Sequence, residues 1–185
     1  MNIFITGASS GIGLAFAQEM LEQSHNVAVT VRKPEDAVRL QALGCFVLLI
    51  DLEETQLIKP MFEKVLTHFN QHVDIVINNA AYGQVGALED VPVDCLKKQF
   101  DVNFFAVHEI TQCAIKQMRK QQGGKIVQVS SVLGIVSMKM RGAYNSSKYA
   151  LEGMCDTLRL ELKGTGIYIS LIEPGPIASN FRKNA

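Results

Sequence analysis

The sequence lacks several features that mark particular classes of protein. Its 18 basic and 18 acidic residues balance to a formal net charge of zero and are not grouped into long blocks. A partner such as nucleic acid or an anionic membrane usually requires a basic surface, so neither is expected. No apolar run approaches the roughly 18 residues of a membrane helix, and no secretory leader pattern opens the sequence. These absences predict a soluble, cytoplasmic protein.

Cysteine and histidine are scarce and give no sign of a disulfide framework or a metal site. The four cysteines lie far apart and include no C-x-x-C pair, so free thiols in a reducing compartment are expected. His68 and His72 are four residues apart, as two ligands on one helix would be, but no third ligand is convincingly placed. A surface or helix-end pair is the simpler interpretation, and no metal is predicted.

The sequence does contain a regular alternation of strand-like and helix-like segments. Six short runs predict strands, at 3–5, 27–31, 46–50, 73–77, 125–129 and 167–172. They are almost continuously apolar, as parallel strands covered on both faces are. Amphipathic stretches lie between them, with apolar stripes at Leu14, Ala17 and Leu21 and at Leu57, Met61, Val65 and Phe69, and long helices are predicted over 97–121 and 143–163.

This order of segments predicts an α/β fold. Strands that alternate with helices form right-handed crossovers and a doubly wound, Rossmann-type parallel sheet. The 185 residues are 48% hydrophobic, which is enough for one buried core, and no repeat, low-complexity tract or linker divides them. We expect a single domain over residues 1–185.

A glycine-rich loop follows the first predicted strand and leads into a helix. It reads Thr6-Gly7-Ala8-Ser9-Ser10-Gly11-Ile12-Gly13. Gly7 can adopt the positive φ of a sharp turn, Gly11 would let the backbone approach a pyrophosphate, and Gly13 would let the helix pack closely on the strand. The N–H groups and partial positive charge of the helix N-terminus suit phosphates, and the serines add hydroxyl donors. The order of strand, loop and helix favours dinucleotide binding.

The glycine spacing resembles the T-G-x-x-x-G-x-G signature of the short-chain dehydrogenase/reductase family, in its compact branch, rather than the commoner G-x-G-x-x-G. Three further segments are similar to family motifs: Asn78-Asn79-Ala80-Ala81 to N-N-A-G, Tyr144 to Lys148 to Y-x-x-x-K, and Pro174-Gly175 to the turn after the sixth strand. Ala81 departs from the motif. The resemblance implies a nicotinamide cofactor bound by Thr6, Gly7, Ser9, Ser10, Gly11, Ile12, Gly13, Asp51, Leu52, Asn79, Ala80, Tyr144, Lys148, Pro174, Gly175 and Ile177.

The residues after the second predicted strand favour NADP(H). An acidic residue there would hold the ribose 2′-hydroxyl of NAD, whereas arginine suits a 2′-phosphate. The sequence has Arg32 and Lys33 at this point, and the resemblance places Val31 where NAD-preferring members carry aspartate. Arg32 can form a forked, charge-assisted contact with phosphate, and Lys33 adds a second cation. NAD(H) remains the alternative, if the segment is a solvated turn and Glu35 or Asp36 folds back to the ribose.

Tyr144 and Lys148 are the candidate proton-transfer pair. Four residues apart on a predicted helix, the phenol and the ammonium can face one cleft. A nearby ammonium and an oxidised nicotinamide would lower the phenol pKa from about 10. Tyr144 could then act as general acid in carbonyl reduction and as general base in alcohol oxidation.

The resemblance assigns three further roles at this site. It implies that Lys148 also hydrogen-bonds the nicotinamide ribose and that Asn103 supports a water-linked proton relay. Ser131, at the end of the fifth strand, faces the ligand crevice of an open α/β sheet and can hold a substrate oxygen. Ser130 competes for that role, because alternation along a strand points the two side chains in opposite directions, and the spacing in the family favours Ser131. The predicted catalytic residues are therefore Asn103, Ser131, Tyr144 and Lys148.

Two classes of function follow. The first is an NADP(H)-dependent oxidoreductase that moves a hydride between nicotinamide and the carbonyl or alcohol group of a small, fairly apolar substrate. The second is a catalytically silent dinucleotide-sensing protein on the same fold. The complete catalytic set favours the enzyme, because a sensor needs no proton donor beside the nicotinamide.

The resemblance also bears on assembly and on the end of the sequence. Family members pair helices equivalent to 97–121 and 143–163 across a symmetry axis, so a homodimer or homotetramer is expected. They usually continue past the position of Ala185 with a substrate-covering segment and a further strand. Either this sequence omits that segment, which we favour, or the protein is truncated and impaired.

Overall fold

The computed structural model describes residues 1–177, 179 and 181. The sequence predicts one domain over residues 1–185, and residues 178, 180 and 182–185 of it lie outside the described part. Six strands form one sheet: β1 (Asn2–Ile5), β2 (Asn26–Val31), β3 (Phe46–Leu49), β4 (Ile75–Asn78), β5 (Gly124–Val129) and β6 (Ile167–Ile172). All neighbours pair in parallel, in the order β3-β2-β1-β4-β5-β6. The predicted parallel α/β sheet is confirmed.

Among the described residues, six α-helices cover the sheet. They are α1 (Gly11–Glu22), α2 (Pro34–Ala42), α3 (Ile58–His68), α4 (Val93–Phe100), α5 (Val107–Lys120) and α6 (Gly142–Glu161). Helix α2 is absent from the sequence-based prediction, although Pro34 at its first turn and the acidic Glu35 and Asp36 are typical of a helix N-terminus. Within the described ranges, no helix is long and apolar enough to span a bilayer.

The two faces of the sheet pack against different helices. Side chains alternate between the faces along a strand, so Phe4 of β1 packs with Phe62 of α3 and Ile110 of α5 in one core cluster. Its neighbours Ile3 and Ile5 point the other way, into a second cluster that holds Ala17 of α1 and Leu40 of α2. The central strands are therefore apolar on both faces, and helices on both faces make the sheet doubly wound.

A single π-helical turn, Asp101–Ala106, interrupts the long helix predicted over 97–121. Helices α4 and α5 flank it, so the helical segment begins at Val93, four residues before the predicted start, and ends at Lys120. Asn103 lies inside the turn, where its side chain is fully buried. A π-turn inside an α-helix often marks a functional site because it redirects side chains that regular geometry would place elsewhere.

The order in which the chain adds strands across the sheet reverses between β1 and β4, the parallel central neighbours. The chain winds outward from β1 through β2 to β3 and then returns to β4 on the other side of β1. The helices that follow these two strands therefore pack on opposite faces of the sheet and leave a crevice at the carboxyl ends, which is where open α/β sheets bind ligands.

Candidate active site

A cleft of about 920 Å³ opens at the carboxyl ends of the strands. Its size lies within the usual range for small-molecule and cofactor sites. Sixteen predicted site residues line it: Gly7, Ser9, Ser10, Gly11, Ile12, Arg32, Asp51, Leu52, Asn79, Ala80, Ser131, Tyr144, Lys148, Pro174, Gly175 and Ile177. Three predicted residues, Thr6, Gly13 and Asn103, lie behind the described wall of the cleft and support it.

The glycine loop passes very close to the end of β4. Gly7 has a φ of +69°, and a Cβ atom on it would lie 2.7 Å from Cα of Ala80. A Cβ atom on Gly13 would lie 2.5 Å from the carbonyl oxygen of Gly7. Both positions therefore need glycine, Gly7 for its backbone conformation and close approach, and Gly13 because α1 packs against the loop itself.

Helix α1 begins at the cleft with its N-terminus open. Ser10 is the N-cap residue, and its side chain makes no capping hydrogen bond within the described part of the chain. The backbone N–H groups of the first turn have no partner inside the helix. Together with the helix dipole they form an anion site that suits the pyrophosphate of a dinucleotide. The donor set therefore fits such a group.

Thr6 and Asn79 join the loop after β1 to the loop after β4. The hydroxyl oxygen of Thr6 accepts hydrogen bonds from the backbone N–H groups of Asn79 and Ala80, each at 3.0 Å. In return, Nδ2 of Asn79 donates to the carbonyl oxygens of Thr6 and Gly7 at 3.0 and 2.9 Å. Thr6 is only 1% exposed, so it shapes the cleft without lining it.

Basic side chains dominate the wall beyond β2. Arg32, Lys33 and Arg39 all line the cleft there. Nη2 of Arg39 donates to Oδ1 of Asp36 at 2.8 Å and to the carbonyl oxygen of Ser9 at 2.5 Å. Asp36, one of the two acids that could serve NAD, is therefore already paired with a cation. Sequence reasoning missed Arg39 because it lies on the unpredicted helix α2.

Tyr144, Lys148 and Ser131 meet at the other end of the cleft. Nζ of Lys148 lies 5.7 Å from the centre of the Tyr144 ring and donates a 2.7 Å hydrogen bond to the carbonyl oxygen of Val129. Ser131 lies beside the Tyr144 hydroxyl and interacts with it, and its Oγ accepts a hydrogen bond from the N–H of Leu133 at 3.1 Å. This geometry agrees with the prediction that the phenol and the ammonium face the same cleft.

Burial controls the ionisation of this pair. It raises the pKa of Tyr144, against the opposing effects of the Ser131 hydrogen bond and the charge of Arg141. It also lowers the pKa of Lys148 to about 8, while the charge of Glu152 acts in the opposite direction. The sequence predicts a lowered phenol pKa when an oxidised nicotinamide lies beside the lysine and the tyrosine. In the protein alone, desolvation of the phenolate outweighs the effects of Ser131 and Arg141, so the protonated phenol is favoured.

The two serines at the end of β5 point in different directions. Oγ of Ser130 donates to a carboxylate oxygen of Glu152 on α6, whereas Ser131 faces Tyr144. Alternation along the strand predicts this divergence. Of the two candidates, Ser131 is the one placed beside the phenol.

Asn103 holds the segment that follows β4 without reaching the cleft. Its Oδ1 accepts from the N–H of Tyr82 at 3.2 Å, and its Nδ2 donates to the Tyr82 carbonyl oxygen at 2.9 Å and to Oγ of Ser147 at 3.1 Å. Gln99, one helical turn earlier, bonds the same segment through the Tyr82 carbonyl oxygen and the N–H of Gln84. The spacing of Gln99 and Asn103 was the available sequence signal for this clamp.

The remaining wall near Tyr144 comes from segments that carry no recognisable motif. The ring of Phe181 meets that of Tyr144 edge to face, with 5.6 Å between centres. Nη1 of Arg141 lies 3.4 Å from the carbonyl oxygen of Gly83. Both side chains line the cleft, and neither follows from spacing along the sequence.

The structure also shows the contacts of His68 and His72 and the state of the cysteines. His68 stacks on Phe46, with ring centres 4.0 Å apart, and Nε2 of His72 lies 3.1 Å from Oδ1 of Asp74. All four cysteines are free thiols, as expected. Within the described ranges, no three histidine, cysteine or acidic residues are grouped as metal ligands.

Several known proteins are similar to this chain in sequence. The family model of the short chain dehydrogenases matches residues 1–185. The "Uncharacterized oxidoreductase YbbO" of Escherichia coli (strain K12) is 40% identical over 99% of this chain and 68% of its own length. The "Probable short-chain type dehydrogenase/reductase VdlC" of Helicobacter pylori (strain J99) is 41% identical over 98% of this chain and 66% of its own length.

A solved structure extends the comparison to three dimensions. A short chain dehydrogenase/reductase from Burkholderia phymatum, in complex with NAD, superimposes with a TM-score of 0.91 at 25% identity, over 99% of this chain and 68% of that one. The chain thus spans about two thirds of the length of these relatives. The family match over residues 1–185, the identities and the shared sheet together show that the chain belongs to the short-chain dehydrogenase/reductase family of oxidoreductases.

Proposed function

We propose that this protein is an NADP(H)-dependent carbonyl reductase or alcohol dehydrogenase in which Tyr144 is the general acid/base. One observation carries the proposal: the buried Tyr144, Ser131 and Lys148 meet at one end of the cleft that the glycine loop and α1 open at the other. That arrangement suits a dinucleotide with its pyrophosphate at the helix N-terminus and its reactive ring beside a proton donor.

Each of the three side chains has a distinct task in this proposal. When bound, nicotinamide supplies or receives the hydride. Ser131 orients the substrate oxygen, and Tyr144 gives that oxygen a proton during reduction or removes one during oxidation. Lys148 supports the charge that forms on the phenol and binds the nicotinamide ribose. The raised pKa of Tyr144 keeps the phenol protonated near neutral pH, which is the form that carbonyl reduction needs.

A substrate panel with matched tyrosine variants tests this chemistry. Loss of NADPH absorbance would be followed with a series of apolar ketones and aldehydes. General acid catalysis contributes about 10² to 10⁴ in rate, so Tyr144→Phe should lose activity by such a factor and keep its NADPH affinity. Tyr168→Phe, at a tyrosine that is 64% exposed on β6, is the control and should match the wild type.

Two results would contradict the enzyme proposal. Comparable turnover in the Tyr144→Phe variant would remove the acid/base role from that residue. Tight NADPH binding without turnover across the whole panel would favour the alternative, a dinucleotide-sensing protein on the same fold.

The preference for NADP(H) rests on charge at the cleft wall. Arg32, Lys33 and Arg39 supply three cations, and Asp36 is paired with Arg39. The Burkholderia phymatum relative binds NAD, so the two cofactors must be compared directly. Fluorescence titration should show tighter binding of NADPH than of NADH, and Arg32→Ala should weaken NADPH binding about tenfold or more while leaving NADH unchanged. Tighter binding of NADH by the wild type would contradict this preference.

We also propose that the protein forms a homodimer or homotetramer through the α4–α5 and α6 helices. Phe105, in the π-turn between α4 and α5, is 50% exposed, and a large exposed aromatic side chain is typical of interfaces. Light scattering gives the mass in solution. A monomer at micromolar concentration would dispose of this assembly.

A further inference from the structure

Glu152 lies one helical turn after Lys148 on α6 and faces the end of β5. Residues four apart on a helix share a face, so the carboxylate and the ammonium point towards the same strand end. Oγ of Ser130, on that strand end, donates a hydrogen bond to Oε1 of Glu152. Ser130 is only 4% exposed, and this partly buried hydrogen bond links the helix to the strand end.

The turn that follows β5 is shaped around this link. A Cβ atom on Gly134 would lie 2.9 Å from Oγ of Ser130 and 3.0 Å from both Cγ and Oε1 of Glu152. Any larger residue at position 134 would push the pair apart. The 3₁₀ turn Val132–Gly134 therefore closes directly over the hydrogen bond.

The link has a consequence for Ser131. This residue has extended backbone angles, with φ −167° and ψ 156°, and consecutive side chains on extended backbone point to opposite sides. When Ser130 is held towards α6, Ser131 faces the cleft, which it lines together with Tyr144. Glu152 therefore influences the orientation of Ser131 through its neighbour.

Glu152 is also the acidic group that acts on Lys148. Nζ of Lys148 is buried against the carbonyl oxygen of Val129, and the titratable groups around it are Tyr144, Glu152 and the Cys155 thiol, all on α6. Burial lowers the Lys148 pKa to about 8, and the negative charge of Glu152 is the largest effect that opposes this lowering. No described ion pair within 4.0 Å includes Lys148, so the carboxylate acts at longer range.

We propose that Glu152 is a positioning residue of the active site, which directs Ser131 by holding Ser130 and keeps Lys148 charged by its own carboxylate. The catalytic meaning of this proposal rests on the proposed function, but the effects of Glu152 on Ser131 and on Lys148 are properties of the protein itself. They can therefore be measured without a substrate, by NMR titration of the Lys148 and Tyr144 side chains in isotope-labelled protein.

Two variants separate the two effects. Glu152→Gln removes the charge and keeps an oxygen that Ser130 can reach, so we expect a lower Lys148 pKa and an unchanged Tyr144 pKa. Ser130→Ala keeps the charge and frees Ser131, whose interaction with the phenol lowers the Tyr144 pKa. This variant should raise the Tyr144 pKa and leave Lys148 unchanged. Glu161→Gln, at an exposed acid on the same helix, is the control and should change neither.

The proposal is overturned if Glu152→Gln leaves the Lys148 titration at its wild-type position, or if Ser130→Ala leaves that of Tyr144 unchanged. Should Glu152→Gln not fold, Glu152→Asp still tests the effect on Ser131, because it keeps the charge and withdraws the carboxylate from Ser130. It should behave as Ser130→Ala does, and wild-type behaviour would also overturn the proposal. Failure to reduce any ketone would instead count against the proposed function and leave these titrations valid.

Discussion

The ammonium of Lys148 donates a 2.7 Å hydrogen bond to the carbonyl oxygen of Val129, the last residue of β5. The hydrogen bond ties α6 to the end of β5, which Ser130 and Ser131 follow directly. It satisfies only one of the three donors of the ammonium, and the side chain is 2% exposed. Lys148 is therefore held in place at a cost in hydration, which is the physical cause of its lowered pKa.

This burial should appear as a pH dependence of stability. The folded-state pKa of Lys148 is lowered from an ordinary 10.5 to about 8. Between pH 8 and pH 10.5 the unfolded state therefore binds more protons than the folded state, so the contribution of Lys148 to the free energy of unfolding rises with pH. The free energy of unfolding of the wild type, relative to that of Lys148→Met, should increase by up to about 3 kcal/mol across this window. Denaturant titrations at pH 7.5 and 10.5 measure it, and parallel pH profiles for the two proteins would contradict it.

The glycine loop gives a second prediction. Gly7→Ala places a Cβ atom on a residue with φ of +69°, 2.7 Å from Cα of Ala80. The left-handed conformation alone costs about 1–2 kcal/mol for an L-residue, so the variant should lose at least about 2 kcal/mol and bind NADPH weakly. Gly153→Ala is the matched control, because a Cβ atom there meets nothing within 4 Å in the middle of α6. It should gain about 0.5–1 kcal/mol, and equal effects of the two substitutions would be a contrary result.

Arg39 should influence the choice of cofactor as strongly as Arg32. Arg39→Gln removes the ion pair with Asp36 and the hydrogen bond to Ser9, which frees the carboxylate for a ribose 2′-hydroxyl. NADPH should then bind more weakly and NADH more tightly, so that the ratio of dissociation constants shifts about tenfold or more. Lys97→Gln breaks an ion pair with Asp94, which has the same sequence spacing and does not line the cleft. It should leave the ratio unchanged. An unchanged ratio in Arg39→Gln would remove this role.

Asn103 should be more important for stability than an ordinary polar residue. Its hydrogen bond to Ser147 is buried and its two hydrogen bonds to Tyr82 are partly buried, and each buried partner left unsatisfied costs about 1–3 kcal/mol. Asn103→Leu should therefore lower the free energy of unfolding by about 3 kcal/mol and increase hydrogen exchange at the N–H of Tyr82. Asn26→Ala, which removes one exposed hydrogen bond to Asn2, should cost less than about 1 kcal/mol. Slow exchange at Tyr82 in Asn103→Leu would show that the segment is held by other contacts.

The sheet could be predicted from the sequence because its strands are apolar on both faces. Each of the six predicted strands overlaps an observed one, and 167–172 matches β6 at both ends. Helix α2 was missed because its apolar stripe is weak: Leu40 is buried but Val38 is 67% exposed. The π-turn Asp101–Ala106 has no periodic signature, since it depends on how α4 and α5 pack onto the sheet.

The site shows the same division between local and long-range signals. Tyr144 and Lys148 share a face because of their spacing, and the sequence was enough to predict this. Gln99 and Arg39 act through hydrogen bonds to backbone atoms 15 and 30 residues away, which only the folded chain brings within reach. The raised pKa of Tyr144 is likewise a result of burial, which spacing along a helix does not reveal.

The reciprocal hydrogen bonds between Thr6 and the Asn79–Ala80 backbone have a practical consequence for protein engineering. The glycine loop is held in shape by Asn79, which lies 73 residues after Thr6 in the chain. A graft of residues 6–13 into a foreign scaffold would leave its amide and hydroxyl partners behind. A transplant or circular permutation should therefore keep residues 6–13 and residues 79–80 together. A split-protein design should cut the chain between them only where the two fragments can still associate.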